Sequence, residues 1–262
     1  RLLPVVEHGR AVGVITRTDL LNTLVSEQAR IPEFEVDRKE WEAGARQRHV
    51  TKFLIERLPK EIIELLRVVG SVADSLDYNA YAVGGFVRDI FLYEQNFDID
   101  VVIEGDGIEF AKALAASLEG RARAHEVFKT AVVVLPNGQK IDVATARLEY
   151  YKSPAALPTV ETGSIKLDLY RRDFTINTLA IKLNPDGFGT VIDFFGAQQD
   201  LKRRVIRVLH NLSFVEYPTR VFRAIRFEQR FGFKIGKLTS GLIENAVRMD
   251  FFRELGGRRL FS

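Results

Sequence analysis

The chain has no cysteine among its 262 residues. It can therefore form no disulfide and hold no metal through thiolates. Any metal must sit on oxygen or imidazole ligands, and the absence is compatible with a reducing cytoplasm, the compartment expected. No apolar run approaches the roughly 20 residues of a membrane-spanning helix, and no secretory leader is visible at the start. Excess charge is also scarce: the net charge is +3 although the pI is about 9.1. Charge balance alone does not mark a polyanion binder, although arginines and lysines cluster at 171–172, at 202–207 and at 220–230. With 46% apolar and 28% charged residues, the composition is that of an ordinary globular protein of about two domains. The chain starts at Arg1 and stops inside an apparent helix, so it reads as a piece of a longer protein.

The stretch from Tyr81 to Asp100, YAVGGFVRDIFLYEQNFDID, carries the densest chemistry. Tyr81–Val83 reads as a strand ending at Gly84-Gly85, and Phe86–Leu92 as the helix that follows. A glycine corner between strand and helix lets backbone N–H groups approach a phosphate, and the helix N-terminus favours anions. Arg88, in the first turns, is placed to hold a triphosphate oxygen. Asp98 and Asp100 are spaced i, i+2, which on a strand turns both carboxylates to one face. Their mutual repulsion is relieved by a divalent cation, and hard oxygen ligands suit Mg²⁺. Phe97, Ile99 and Val101–Ile103 fit a buried strand.

Around this stretch the pattern predicts an α+β protein. Leu3–Val6 and Ala11–Ile15 read as strands, with Thr16 capping a helix from Arg17 to about Val25. Residues 31–58 read as a polar connector, helical in part from Arg46 to Arg57. Pro59 opens a helix to about Leu76, with Ile62, Ile63, Leu65, Leu66, Val69 and Val72 on its apolar side. Gly107–Glu119 is amphipathic and Gly120 a C-terminal cap. Arg121–Phe128, Thr130–Leu135 and Gln139–Thr145 read as strands, the last two joined by the Pro136-Asn137-Gly138 turn. The third carries Asp142 among apolar neighbours. A buried acid there must be paired or metal-bound, so it either joins Asp98 and Asp100 as a third carboxylate or pairs with Arg147 or Arg88. Residues 149–163, with two prolines and no periodicity, read as a loop.

Three later motifs follow. In LDLYRRDFTINTLA (167–180), helical spacing puts Asp173 and Asn177 on one face beside Arg172. That set offers a cation for phosphate plus an acid and an amide for sugar hydroxyls; the alternative is an internal Arg–Asp pair. Residues 191–201 read as a strand, a glycine turn and a helix cap. In 214–227, Arg220, Arg223 and Arg226 recur every third residue, forming a ridge along a helix from about Pro218 that is solvated, RNA-facing or nucleotide-binding. Residues 235–260 read as helical.

GGFVRD followed by DID, then RRDFTIN, then EYPTRVFR, in that order, resembles the class II tRNA nucleotidyltransferase and bacterial poly(A) polymerase family over about residues 60–262. LPVVEHGRAVGVITRTDLL resembles the end of a CBS domain. The resemblance implies a polymerase-β-like nucleotidyltransferase head, with a small mixed, mostly antiparallel sheet and flanking helices, followed by a helical neck. It implies a CBS remnant at 1–30, a linker at 31–58, the catalytic head at 59–210 and the start of an RNA-binding neck at 211–262. By resemblance Asp98, Asp100 and Asp142 are catalytic, the first two as ligands of Mg²⁺ in a two-metal site. Gly84, Gly85, Arg88, Arg172, Asp173, Asn177, Arg220, Arg223 and Arg226 bind nucleotide. The implied reaction adds AMP from ATP to an RNA or tRNA 3′ end, with CTP as a possible second substrate. Full CCA addition and poly(A) synthesis are the alternatives within the class. A nucleotide-sensing module with an inactive transferase head is the alternative outside it. The sequence departs from the family at Tyr217, where an Asp is usual. There one base-reading partner is missing unless Glu216 or a backbone carbonyl replaces it.

Overall fold

The structure, a computed structural model, describes residues 2–7, 10–16, 44–151, 158–250 and 252. It is built on an eight-stranded sheet of order β3-β12-β11-β4-β5-β8-β7-β6. The strands are β3 (Arg46–His49), β4 (Asn79–Val83), β5 (Ile99–Glu104), β6 (Arg121–His125), β7 (Thr130–Val134), β8 (Lys140–Thr145), β11 (Ala180–Lys182) and β12 (Thr190–Asp193). Only β5 and β8 run parallel; the other neighbours are antiparallel. The expected mixed, mostly antiparallel α+β architecture is therefore present, with a larger sheet than the sequence implied. A separate hairpin joins β1 (Leu2–Glu7) to β2 (Arg10–Thr16), as the two apolar runs predict. The helix expected after it lies outside the described residues.

One face of the sheet is covered by α2 (Lys60–Ser75) and α4 (Gly107–Ser117). In α2 the apolar side is buried as its spacing requires, from Ile62 and Ile63 through Leu66 to Val69. Gly70 lies so close to the following layer that an added Cβ would stand 1.8 Å from the Leu183 carbonyl oxygen. Asp106 caps α4 by accepting from the N–H groups of Ile108 and Glu109 at 2.9 and 3.0 Å. The opposite face is covered by α5 (Ile165–Tyr170) over Tyr81, Val83, Val102, Ala180 and Ile192.

Several expectations change. The connector of 31–58 becomes part of the head from Arg46 onward: residues 46–49 form edge strand β3, and only Thr51–Arg57 (α1) is helical. An Arg46–Arg57 helix fails because strand β12 offers hydrogen-bond partners that composition cannot reveal. The described parts of the loop expected at 149–163 are strand rather than irregular over 149–151 and 158–162. They pair as β9 (Arg147–Tyr151) and β10 (Pro158–Thr162), with Pro158 at a strand end, where a missing N–H costs least. Phe97 is 44% exposed rather than part of the buried strand.

After the sheet come α6 (Ala197–Arg203), the short parallel pair β13 (Val205–Ile206) and β14 (Lys234–Ile235), then α7 (Ser213–Glu216), α8 (Arg220–Phe231) and α9 (Lys237–Arg248). Asp193 caps α6 through the N–H groups of Ala197 and Gln198, and Gly196 makes the turn at φ +74°. Phe227, Phe231, Leu242 and Ala246 belong to the same apolar core as the sheet. No break in packing therefore separates residues 211–250 from the head. No helix among the described residues is long and apolar enough to cross a membrane.

Candidate active site

The site forms where β4 ends. Gly84 has φ +69°, a conformation L side chains rarely adopt. A Cβ on it would stand 2.7 Å from Arg172 Nη1 and 3.2 Å from Asp100 Oδ2. Glycine thus allows a guanidinium and a carboxylate to close over the strand–helix corner. The helix beyond, α3 (Gly84–Leu92), starts at that corner.

Asp100 lies on β5 directly opposite Asp142 on the parallel strand β8. Directly paired residues share a face, so the two acids face the same way. Asp142 is exposed, so it is not an acid buried on an inner strand, and its partner across the ladder is Asp100 rather than Arg147 or Arg88. Burial pushes Asp100 up to about 6; Arg172 opposes this, while Asp142 and Asp98 add to it. Asp98 stands exposed just ahead of β5. Among the described residues no three His, Cys, Asp or Glu side chains already converge as a metal cage. The donor set still suits Mg²⁺: these are hard oxygens whose mutual repulsion a cation relieves, and Mg²⁺ completes its shell with water and substrate phosphate.

An unbroken polar chain links Asp98 to the arginine ridge. The Asp98 N–H donates to Asn96 Oδ1 (2.9 Å), and Asn96 Nδ2 donates to Asp89 Oδ2 (2.8 Å). Arg88 Nε donates to Asp89 Oδ1 and Arg88 Nη1 to Asn177 Oδ1, both at 2.7 Å. Asn177 Nδ2 donates to Asp173 Oδ1 (2.8 Å), and Arg223 Nε donates to Asp173 Oδ2 (2.7 Å). Asp89 is fully buried and Arg88 only 4% exposed, its guanidinium about 5 Å from the Phe227 and Phe231 ring centroids. Arg88 is therefore chiefly an internal brace, not the exposed phosphate grip its helix position suggested. Asp173 and Asn177 do meet, but not on an α-helix. α5 ends at Tyr170, and residues 175–177 form a single 3₁₀ turn. Asp173 is held below the usual carboxylate range: burial pushes it up, but Arg223, Asn177 and Arg220 together outweigh that.

Arg172 Nη2 reaches Asp168 at 3.2 Å, while its buried Nε finds no hydrogen-bond partner among the described residues. Arg220 turns inward, donating to Ser213 Oγ (2.7 Å) and to the Arg171 carbonyl (2.6 Å). Arg223 is half exposed and Arg226 exposed. Gly84, Gly85, Arg88, Asp100, Arg172, Asp173, Asn177, Arg220, Arg223 and Arg226 all border one open cleft of about 760 Å³. Asp142 borders an adjoining cavity of about 400 Å³ that shares Asp100, Arg171 and Arg172 with it. Asp98 lines neither of them.

The cleft also takes in Arg171, Arg230, Thr219, Tyr217, Phe227 and Phe128. Arg230, four residues after Arg226 and so one helical turn on, belongs to the same basic cluster, but Phe128 left no signal in the sequence. The Tyr217 ring lies 5.0 Å from the Arg220 guanidinium. Glu216 is turned to His210 Nε2 at 3.7 Å. Burial, with help from Arg220, pushes His210 down to about 3, so the ring is neutral and the contact is not an ion pair.

Comparison with known proteins matches residues 80–207 to the Poly A polymerase head domain. An A-adding tRNA nucleotidyltransferase of Geobacter sulfurreducens is 56% identical over the whole chain, which spans 30% of that protein's length. A CCA-adding enzyme in an apo form superposes with a TM-score of 0.79 at 53% identity, over 82% of this chain and 50% of that one. A Thermotoga maritima CCA-adding enzyme complexed with tRNA gives 0.74 at 48% identity, over 82% and 48%.

Proposed function

Since the chain belongs, through its head domain, to the class II tRNA nucleotidyltransferase family, we propose that it carries the catalytic part of an enzyme adding AMP from ATP to the 3′ end of a tRNA, in the cytoplasm. The observation that carries this reading is Asp100 opening, beside the Gly84 corner, onto a cleft walled by arginines, with Asp142 opposite it on the adjoining cavity. We further propose residues 46–210 as the catalytic head, 211–262 as the start of a helical RNA-binding neck, and 1–30 as the end of a CBS module.

In this reading the triphosphate lies along the cleft with its phosphates against Arg172, Arg223 and Arg226, whose charge offsets that developing on the leaving pyrophosphate. The RNA 3′-hydroxyl oxygen bonds to the α-phosphorus as the bond to the α–β bridging oxygen breaks, pyrophosphate leaves with that oxygen, and the hydroxyl proton passes to solvent water. Asp98 and Asp100, with Asp142 opposite, would hold Mg²⁺, which lowers the hydroxyl pKa and stabilises the pyrophosphate. Asp173 and Asn177 orient the ribose, and the Asn96–Asp89–Arg88 brace fixes Asp98 relative to them.

The test uses the chain extended by the remainder its relatives have. Three acceptors are offered with ATP or CTP: tRNA lacking only the final A, tRNA lacking the whole CCA end, and generic RNA. Incorporation of ATP alone, on the first acceptor alone, is expected. CTP incorporation on the second would make it a CCA-adding enzyme, and runs of A on generic RNA a poly(A) polymerase. Nucleotide binding with no transfer to any acceptor would favour a sensing module and end the proposal.

Asn96→Ala removes both the acceptor for the Asp98 N–H and the donor to Asp89. By analogy with groups that orient metal ligands, it is expected to slow transfer about 10- to 100-fold and raise the Mg²⁺ concentration needed, with ATP affinity little changed. Steady-state kinetics with a Mg²⁺ titration and ATP calorimetry separate these. An unchanged Mg²⁺ midpoint would show that Asn96 only stabilises the fold.

A further inference from the structure

The carboxylate face of the sheet is covered unevenly. Over β4, β5, β11 and β12 it is sealed by α5. Beyond β5 the residues of this face, on β8, β7 and β6, are half-buried or exposed. Register shows what occupies the uncovered half. Asp100 pairs with Asp142, Asp142 with Val132, and Val132 with Arg123. The next row runs from Lys140 through Val134 to Arg121. A low apolar floor thus starts at the carboxylates and ends, two strand spacings or about 10 Å from Asp142, at an edge strand presenting arginines. The 400 Å³ cavity lined by Asp100, Asp142, Val132 and Thr130 is its inner end. At its corner with the larger cleft stands Phe128, 38% exposed.

Charged residues on an edge strand also discourage edge-to-edge aggregation, and the opposite edge, β3, carries exposed Arg46 and Arg48 for which that reason suffices. The β6 edge differs because its arginines share a face with the proposed catalytic acids, Arg123 in the row of Asp142 and Asp100 and Arg121 in the neighbouring row of Val134 and Lys140. A basic margin beside an apolar floor with an aromatic at the corner suits a single-stranded nucleic acid, its phosphates outward and its bases on the floor.

Resting on the function proposed above, we infer that this uncovered half-face is the track of the acceptor strand. The last nucleotides of the RNA run across β6 and β7 with their phosphates against Arg121 and Arg123, and the 3′ end arrives at Asp98, Asp100 and Asp142 from the side opposite the triphosphate cleft.

The experiment compares the chain, Arg121→Glu/Arg123→Glu, and Arg46→Glu/Arg48→Glu on the opposite edge. A 5′-labelled single-stranded RNA of about ten nucleotides ending in CC is titrated from roughly 50 to 300 mM salt, and ATP affinity is measured in parallel. The β6 pair is expected to weaken RNA binding at least about tenfold at low salt and to lower the slope of log affinity against log salt by about 1 to 1.5, since each lost phosphate contact on a single strand removes about 0.7. ATP affinity stays within about twofold, and the β3 pair behaves like the unsubstituted chain. Unchanged RNA affinity and slope in the β6 pair, equal losses at both edges, or no RNA binding by the unsubstituted chain would each overturn the track. Failure of the catalytic reading looks different: RNA binding that depends on Arg121 and Arg123, with no nucleotide transfer by the extended protein.

Discussion

Replacing Asp100 by Asn is expected to cut AMP incorporation by at least about 10³-fold, some 4 kcal/mol of barrier, while making the protein more stable. Asp100 is pushed up to about 6 from an ordinary 3.8, by burial first and by Asp142 and Asp98 in addition. It therefore binds its proton more tightly in the folded chain than in the unfolded one. The stability this contributes is fully present below about pH 4 and lost as the pH rises through about 6. At pH 7.5 without divalent cations, the ionised Asp100 costs the fold about 1–3 kcal/mol. Asn, neutral at every pH, removes that cost, and the unfolding midpoint should rise by roughly 2–8 °C. The gap between variant and parent should open between about pH 4 and 6 and stay level above 7. Adding Mg²⁺ should stabilise the parent more than the variant. Thermal melts in EDTA across this range, beside incorporation assays, check both halves. Midpoints that coincide from pH 4 to 8 would refute the electrostatic argument, and retained incorporation would remove Asp100 from the chemistry.

Replacing Asp173 by Ala is expected to have the largest effect on stability, a loss of about 3–5 kcal/mol. Its carboxylate, 7% exposed, accepts from the Phe174 N–H, Asn177 Nδ2 and Arg223 Nε. Without it, a buried amide and a backbone N–H lose their acceptor, and α8 loses the ion pair that ties it to the 173–177 turn. Because this carboxyl is held below its usual range, its contribution is present above the ordinary carboxylate pKa and lost as the pH falls below it. The parent should thus weaken on acidification through this range more steeply than the variant. ATP binding should weaken as well, since Arg223 and Asn177 border the nucleotide cleft. Urea unfolding at several pH values and ATP titration measure these; a stability loss under about 1 kcal/mol would contradict the account.

Much of the site was legible because its signals are local. The Gly84-Gly85 corner is such a short-range pattern, whereas Asp98 falls just ahead of β5 instead of alternating with Asp100 along it, and of the three-residue repeat Arg223 and Arg226 stay outward while Arg220 turns inward. Other expectations failed where distant segments decide the environment. Arg88 occupies the position of a phosphate grip, yet Asp89, Asn177 and two phenylalanines of α8 enclose it. Residues 173–177 carry helical spacing, but the chain turns there because Thr175 Oγ1 and Arg207 Nε both bind Asp200. Arg46–His49 reads as polar connector and becomes an edge strand because β12 is available to pair with it.

The sequence alone determined the class of fold and the order of the motifs, and it supplied the residues proposed for the chemistry, because helix and strand periods and glycine corners are encoded within a few neighbouring residues. Only the tertiary structure decided that Asp142 stands opposite Asp100, that Arg88 and Asp173 belong to one buried chain of hydrogen bonds, and that half of the acidic face lies uncovered beside a basic edge. Parallel register between β5 and β8 and the packing of α8 on the head join residues dozens of positions apart. Such pairing is settled by the combined burial and hydrogen bonding of the whole sheet, which no local pattern records.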